Sequence, residues 1–275
     1  MRTRFNLLAL SSGLILSASL AFGQKDPQPK SPKEAEALQA IQKATTADDQ
    51  IKAIENVLTT FADTEFKVFL LQSAMQLSET KGDLAQITTY AERTLEADPK
   101  NVYAEVTLAS EIASHTREFD LDKEEKLAKA DKYAKAALSD VKAFPKQSSK
   151  ITDEQWDKEK KNLTGQAYAA EGLMAMVRKK YDDAVTQFKA AVDASGVPDP
   201  NSTFRLGEAY LKAGKTDDAI ATFDKVIAMA DASPQVKQYA TTRKADAAKL
   251  KGAAAPPAAA RPAAESAPAP APAKP

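Results

Sequence analysis

One pattern is written twice in this chain, thirty-five residues apart, and no other feature limits the fold so strongly. Gly172, Tyr181, Asp182, Asp183, Ala184 and Phe188 return as Gly207, Thr216, Asp217, Asp218, Ala219 and Phe223. A period near 34 residues marks stacked helix–turn–helix units, each too small to bury its apolar face without a neighbour. In the second copy Leu206, Gly207 and Tyr210 fall at i, i+1 and i+4 of a first helix. Gly214 follows where a tight turn needs a residue free to take positive φ. Thr216 is placed to cap a second helix, with Asp217 and Asp218 at its positive end. Ala219, Phe223, Val226 and Ile227 give that helix its apolar stripe. Small residues at Gly207 and Ala219 allow close helix approach, and Tyr210 and Phe223 are expected to fill the gap to the neighbouring pair.

These residues resemble the tetratricopeptide repeat. Leu206, Gly207, Tyr210, Gly214, Ala219 and Phe223 match its pattern, while Val226 replaces the usual small residue and Thr203 stands where an aromatic is common. The preceding copy matches at Tyr168, Gly172, Ala184, Phe188 and Ala191 and departs at Glu171 and Ala175. The resemblance implies an all-α fold, a right-handed α-solenoid of about five antiparallel helix pairs plus a C-terminal capping helix. It also implies a trough walled by the first helix of each pair. Its lining would be Gln166, Ala169, Ala170, Leu173, Met176 and Val177 in one repeat, and Asn201, Phe204, Arg205, Glu208, Leu211 and Lys212 in the next. Of the family's carboxylate clamp only Arg205 and Asn201 have counterparts. Leu173, Met176, Val177 and Phe204 then form either an apolar strip for an extended or amphipathic peptide, or a face buried beneath a neighbouring helix.

Earlier repeats are fainter. Ser31-Pro32 opens a helix lined by Ala35, Leu38 and Ile41, and after a break at Thr46–Asp49 a second continues through Ile51, Ile54, Val57 and Phe61. Phe66, Leu70, Ala74 and Leu77, then Ile87, Tyr90, Ala91 and Leu95, flank a turn at Gly82. A third pair spans Val102–Ile112 and Lys126–Val141, with His115–Leu121 longer than a simple turn. Taking Gln50, Ile87, Ala130, Ala184 and Ala219 as equivalent gives spacings of 37, 43, 54 and 35, so the array is irregular in its middle. The longest step holds a loop at Phe144–Ser149 and an extended helix beginning near Thr152. Trp156 on that helix either packs against the loop or anchors an interface.

The ends have another character. Arg2 and Arg4, the apolar run Phe5–Leu20 and the small residues of Ala21-Phe22-Gly23 read as a secretory signal over 1–23, with cleavage before Gln24. A retained anchor is the alternative, although the run is short and carries four serines. Residues 24–32 read as a flexible leader, 33–250 as the repeat domain, and 251–275 as a disordered Ala/Pro-rich tail. The chain has no cysteine, which excludes disulfides and thiolate chemistry. An exported, periplasmic protein built this way relies on its apolar core.

Signals for chemistry are weak. His115 is the one histidine, with Glu111 a turn before it, and cannot complete a common zinc site alone. Asp120, Asp122 and Glu124, with Asp131 further on, imitate the start of a calcium loop but lack its glycine and final glutamate. No phosphate loop, nucleophile elbow or metalloprotease helix is present. Zero net charge argues against a nucleic-acid binder, and loss of residues 1–23 removes two arginines and no acid, leaving 36 basic against 38 acidic residues. The expectation is a non-enzymatic scaffold without cofactor or stable membrane span, with a protein partner and an open oligomeric state. The alternatives are a structural envelope protein with the tail as spacer, or an accessory subunit of an envelope complex.

Overall fold

The computed structural model describes residues 27–254 apart from 147, 149 and 198, and among these it contains helices and connections but no strand. In order the helices are α1 (Pro32–Lys43), α2 (Ala47–Thr60), α3 (Lys67–Lys81), α4 (Leu84–Ala97), α5 (Val102–His115), α6 (Lys123–Asp140), α7 (Asp153–Val177), α8 (Tyr181–Ala194), α9 (Pro200–Lys212), α10 (Thr216–Ala228) and α11 (Pro234–Ala254). Consecutive helices pack as five pairs, α1–α2 to α9–α10, and α11 closes the last pair. Each pair also packs on the next, so the fold is the α-solenoid that the repeat implies. The expected signal segment, the first leader residues and the tail beyond Ala254 lie outside the described residues.

Local chemistry sets most boundaries. Ser31, Thr46, Asp83, Asn101, Thr152 and Asp199 each accept a backbone N–H three residues on, and Gln155 completes a capping box with Thr152. Pro32 and Pro200 occupy first turns, where no N–H is needed. Thr216 differs from expectation: it is already helical, Lys215 takes the cap position, and no side chain caps α10. The cause is the compact turn before it. Gly214 (φ 75°) is followed at once by Lys215, whose N–H reaches Tyr210 O at 2.9 Å. Only Lys215 then separates Gly214 from α10, and Asp217 and Asp218 supply the negative charge at the uncapped end. The first copy closes the same way, with Lys180 N–H on Ala175 O at 2.9 Å, but Lys179 (φ 58°) stands where the second has glycine. Lys179 is the only non-glycine with positive φ among the described residues.

Phenylalanine rings fill glycine notches inside the two C-terminal pairs. A Cβ on Gly172 would lie 2.8 Å from the Phe188 ring, and one on Gly207 2.6 Å from the Phe223 ring. Phe223 thus fills the notch within its own pair, where it meets Phe204 (centroids 5.7 Å), and belongs to a cluster that reaches Val236 and Ala240 of α11. Gly165 behaves alike though no repeat marks it: a Cβ there would strike Ser195 Oγ and come within 2.9 Å of Ala191 O. Trp156 takes the packing alternative. It is 5% exposed, its Nε1–H donates to Phe144 O at 3.3 Å, and the two rings lie 5.5 Å apart. The later leader is tied down, with Gln28 N–H on Glu65 Oε2 (3.1 Å) and Lys30 Nζ on Asp63 Oδ2 (2.9 Å).

Candidate functional site

The first helix of the last pair starts crisply, Asp199 accepting the Ser202 N–H at 2.7 Å with Pro200 in the first turn. That start sets the register along α9. Arg205 and Glu208 fall three residues apart, and Arg205 Nη1 reaches Glu208 Oε2 at 3.4 Å. From α11, Arg243 Nε meets the other oxygen, Glu208 Oε1, also at 3.4 Å, while its Nη1 lies 3.5 Å from Asp246. Each oxygen of Glu208 is therefore held from a different helix, with its side chain 17% exposed. Asn201 and Gln166 are half-buried, and Lys212 is exposed. The outcome is a polar wall across α9 and α11, to which Arg243 belongs although sequence reasoning did not place it there.

The expected apolar strip is largely engaged in packing. Phe204 is 9% exposed and stacked against Phe223, so it is a core residue and not a groove residue. Ala170 is fully buried against α5 and α6, and Leu173 and Val177 pack on that same cluster. Ala169, Leu173 and Met176 also contact the cluster of Ala184, Phe188 and Leu206, where Tyr210 is half-buried. Leu211 packs against the cluster around Phe223. The reason is that α7 is sandwiched, with α5 and α6 on one side and α8 on the other. Phe204 thus takes the alternative of burial, while Leu173, Met176 and Val177 are half-buried against their neighbours. The notch residues Gly172, Ala184, Phe188, Ala191, Leu206, Gly207, Ala219 and Phe223 are all buried, and Tyr168 is half-buried.

Residues 169–235 match the tetratricopeptide repeat family model. A comparison with curated proteins gives no match. Among solved structures, the chain is similar to TTC0263, a thermophilic tetratricopeptide repeat protein of Thermus thermophilus, at 15% identity and TM-score 0.48, covering 77% of this chain and 95% of that one. It is also similar to residues 1–338 of Acl4, an assembly chaperone of RpL4, at 11% identity and TM-score 0.38, covering 80% and 97%. The tetratricopeptide segment runs from within α7 to the start of α11 and includes the polar wall on α9. Such a fold is suited to holding another protein.

Outside the tetratricopeptide segment, three carboxyls were not singled out from sequence. Glu79 on α3 accepts the Thr107 hydroxyl at 3.2 Å, and burial, with repulsion from Glu111, pushes it up to about 7. Glu105 on α5 is pushed to about 7 by burial and by Asp140 and Asp98. Glu159 on α7 is raised by burial, against hydrogen bonds with Tyr103 and Asn162. A glutamate inside the apolar run Val102–Ala109 was the available signal for Glu105. His115 Nδ1 contacts Glu111 O at 2.9 Å and its carboxylate at 3.4 Å. Asp120 and Asp122 both engage Lys126, at 3.2 and 2.9 Å. Among the described residues no three His, Cys, Asp or Glu side chains are grouped to hold a metal ion, and no helix is long and apolar enough to cross a membrane. The α5–α6 loop presents Phe119 (87% exposed) and a fully exposed Leu121. That loop is pinned by Lys179–Glu118 at 2.6 Å, and the first turn of α6 after it by Arg178–Glu124 at 3.0 Å.

Proposed function

We propose that this chain is a non-enzymatic protein–protein interaction scaffold of the cell envelope, holding a partner peptide or helix along the first-helix wall of its C-terminal repeats. The observation that carries this reading is the polar wall of Asn201, Arg205, Glu208 and Lys212, joined by Arg243, beside a family match over 169–235. With Leu173, Met176, Val177 and Phe204 engaged in packing, the wall favours a partner with charged and hydrogen-bonding groups over a purely apolar one. Lodged between two guanidinium groups, Glu208 holds them in a fixed arrangement for a partner carboxylate or backbone carbonyl. Export rests on residues 1–23, and the periplasm is the compartment that this signal suits best. Affinity capture from an envelope extract after crosslinking should recover a specific protein with the native chain and much less with Arg205→Glu/Lys212→Glu. Recovery of nothing above background, or equal recovery with the variant, would count against the wall.

The Ala/Pro-rich stretch from Gly252 supports a second reading, a structural envelope protein with the tail as spacer. Deletion of 255–275 should then alter envelope association. A scaffold working through its wall loses little.

A further inference from the structure

Glu105 has the only buried side-chain oxygen among the described residues that meets no hydrogen-bond donor. The residue is 3% exposed, and its Oε2 is the orphan. An unpaired buried polar atom is costly, and a buried unpaired charge more so. On α5 it stands among Val102, Ala104, Val106, Leu108 and Ala109, all buried, so it cannot turn out to water without unpacking the helix. Asp98 and Lys100 face it from the α4–α5 connection, and Asp140 faces it from the end of α6. Asp98 is already committed to Asn101, whose Nδ2–H it accepts at 2.9 Å. Lys100, the nearby cation, lies 3.9 Å from Asp140 and is largely solvent-exposed. On α7, which also packs against α5, Glu159 is engaged with Tyr103 and Asn162; on α3, Glu79 takes Thr107. Two acids and one solvent-exposed lysine surround a carboxyl whose buried Oε2 has no donor.

We propose that Glu105 is a proton switch at the joint between the second and third helix pairs: with its proton on, α4, α5 and α6 stay packed, and loss of the proton loosens that joint. Protonation removes the buried charge and its repulsion from Asp98 and Asp140 together. Burial first, then Asp140 and Asp98, push the group up to about 7, with Lys100 alone opposing. The folded chain therefore holds this proton more tightly than the unfolded chain, whose carboxyl has the ordinary value of 4.5. Its contribution to stability is complete below the unfolded value and is lost as pH rises through about 7. In a solenoid each pair contacts only its neighbours, so a weakened joint changes the bend there and leaves distant pairs intact.

Hydrogen exchange on the full chain, corrected for intrinsic rates, tests this at pH 5.5 and pH 8. The α4–α5 connection and the end of α6 should lose roughly tenfold more protection at pH 8 than α9 and α10 do. Glu105→Gln, which keeps the shape and adds an amide donor, should abolish that local difference. Asp140→Asn retains Glu105 but removes a repelling neighbour, and should shrink it. Glu79 responds to pH in the same window, so Glu79→Gln should leave the change around Asp98 and Asp140 in place. Equal loss in every helix, or a local difference that persists in Glu105→Gln, overturns the switch. Should Glu105→Gln fail to fold, Asp140→Asn decides: an unchanged difference there overturns it equally.

Discussion

In the pairs α7–α8 and α9–α10 the space between helices is a glycine notch filled by a ring, Phe188 over Gly172 and Phe223 over Gly207. At the joint of α5, α6 and α7 the same space is filled mostly by alanines, Ala109, Ala113, Ala130, Ala134 and Ala170, with Leu127 and Met174; the buried acid Glu105 lies on α5 itself and the half-buried Glu79 on α3. A notch and ring fix one register, because the ring fits only over the residue without a Cβ. Alanine faces fix it less strongly. The centre of the array compensates with a satellite core, Tyr103, Phe144 and Trp156, built on the extra N-terminal turns of α7. Regular repeats carry their specificity in themselves, whereas irregular ones borrow it from insertions.

That contrast can be broken first at the rings. Phe188→Ala or Phe223→Ala should cost about 3–5 kcal/mol in urea unfolding followed by circular dichroism. Smaller losses would mean that the notches can collapse. Gly207→Val forces a branched side chain against the Phe223 ring and should cost about 2 kcal/mol by the same measurement. A neutral result would show that Phe223 can move aside. At the centre, Glu79 and Glu105 predict a melting temperature that falls by about 4 °C between pH 5.5 and 8, since both carboxyls are raised in the folded chain. The double variant Glu79→Gln/Glu105→Gln should flatten that slope. Trp156→Phe keeps the ring stacking but loses the bond to Phe144 O and should cost about 1 kcal/mol. The smallest effect is expected at the first copy's turn. Lys179→Gly relieves the positive φ, which the second copy meets with Gly214, and should raise the melting temperature by about 2 °C. A fall would mean that the Lys179–Glu118 pair matters more than the backbone strain.

Most of the fold was legible because repeats write packing into spacing. Gly172 and Gly207 marked the notches, Ser31, Thr46 and Thr152 marked helix starts, and the 54-residue step located the insertion that Trp156 closes. Thr216 misled because cap preference is local, while the one-residue turn after Gly214 is set by the preceding helix. The site was less legible. Leu173 and Phe204 lie at positions that a regular array leaves open, but Leu173 is covered because α5, α6 and α8 enclose α7 at the irregular joint, and Phe204 because it packs on Phe223 in the cluster that α11 closes. Arg243 pairs with Glu208 across 35 residues through packing of α11 on α9, a contact no periodicity announces.

Site-specific photo-crosslinking in cells tests the central claim most directly. A photoreactive residue at 201, 205 or 212 samples the wall, and one at 189 or 225 samples exposed positions on α8 and α10. The account predicts a discrete protein adduct from the wall positions and none from the other two. Equal adducts from both sets, or none from the wall while 189 or 225 captures a partner, would contradict it.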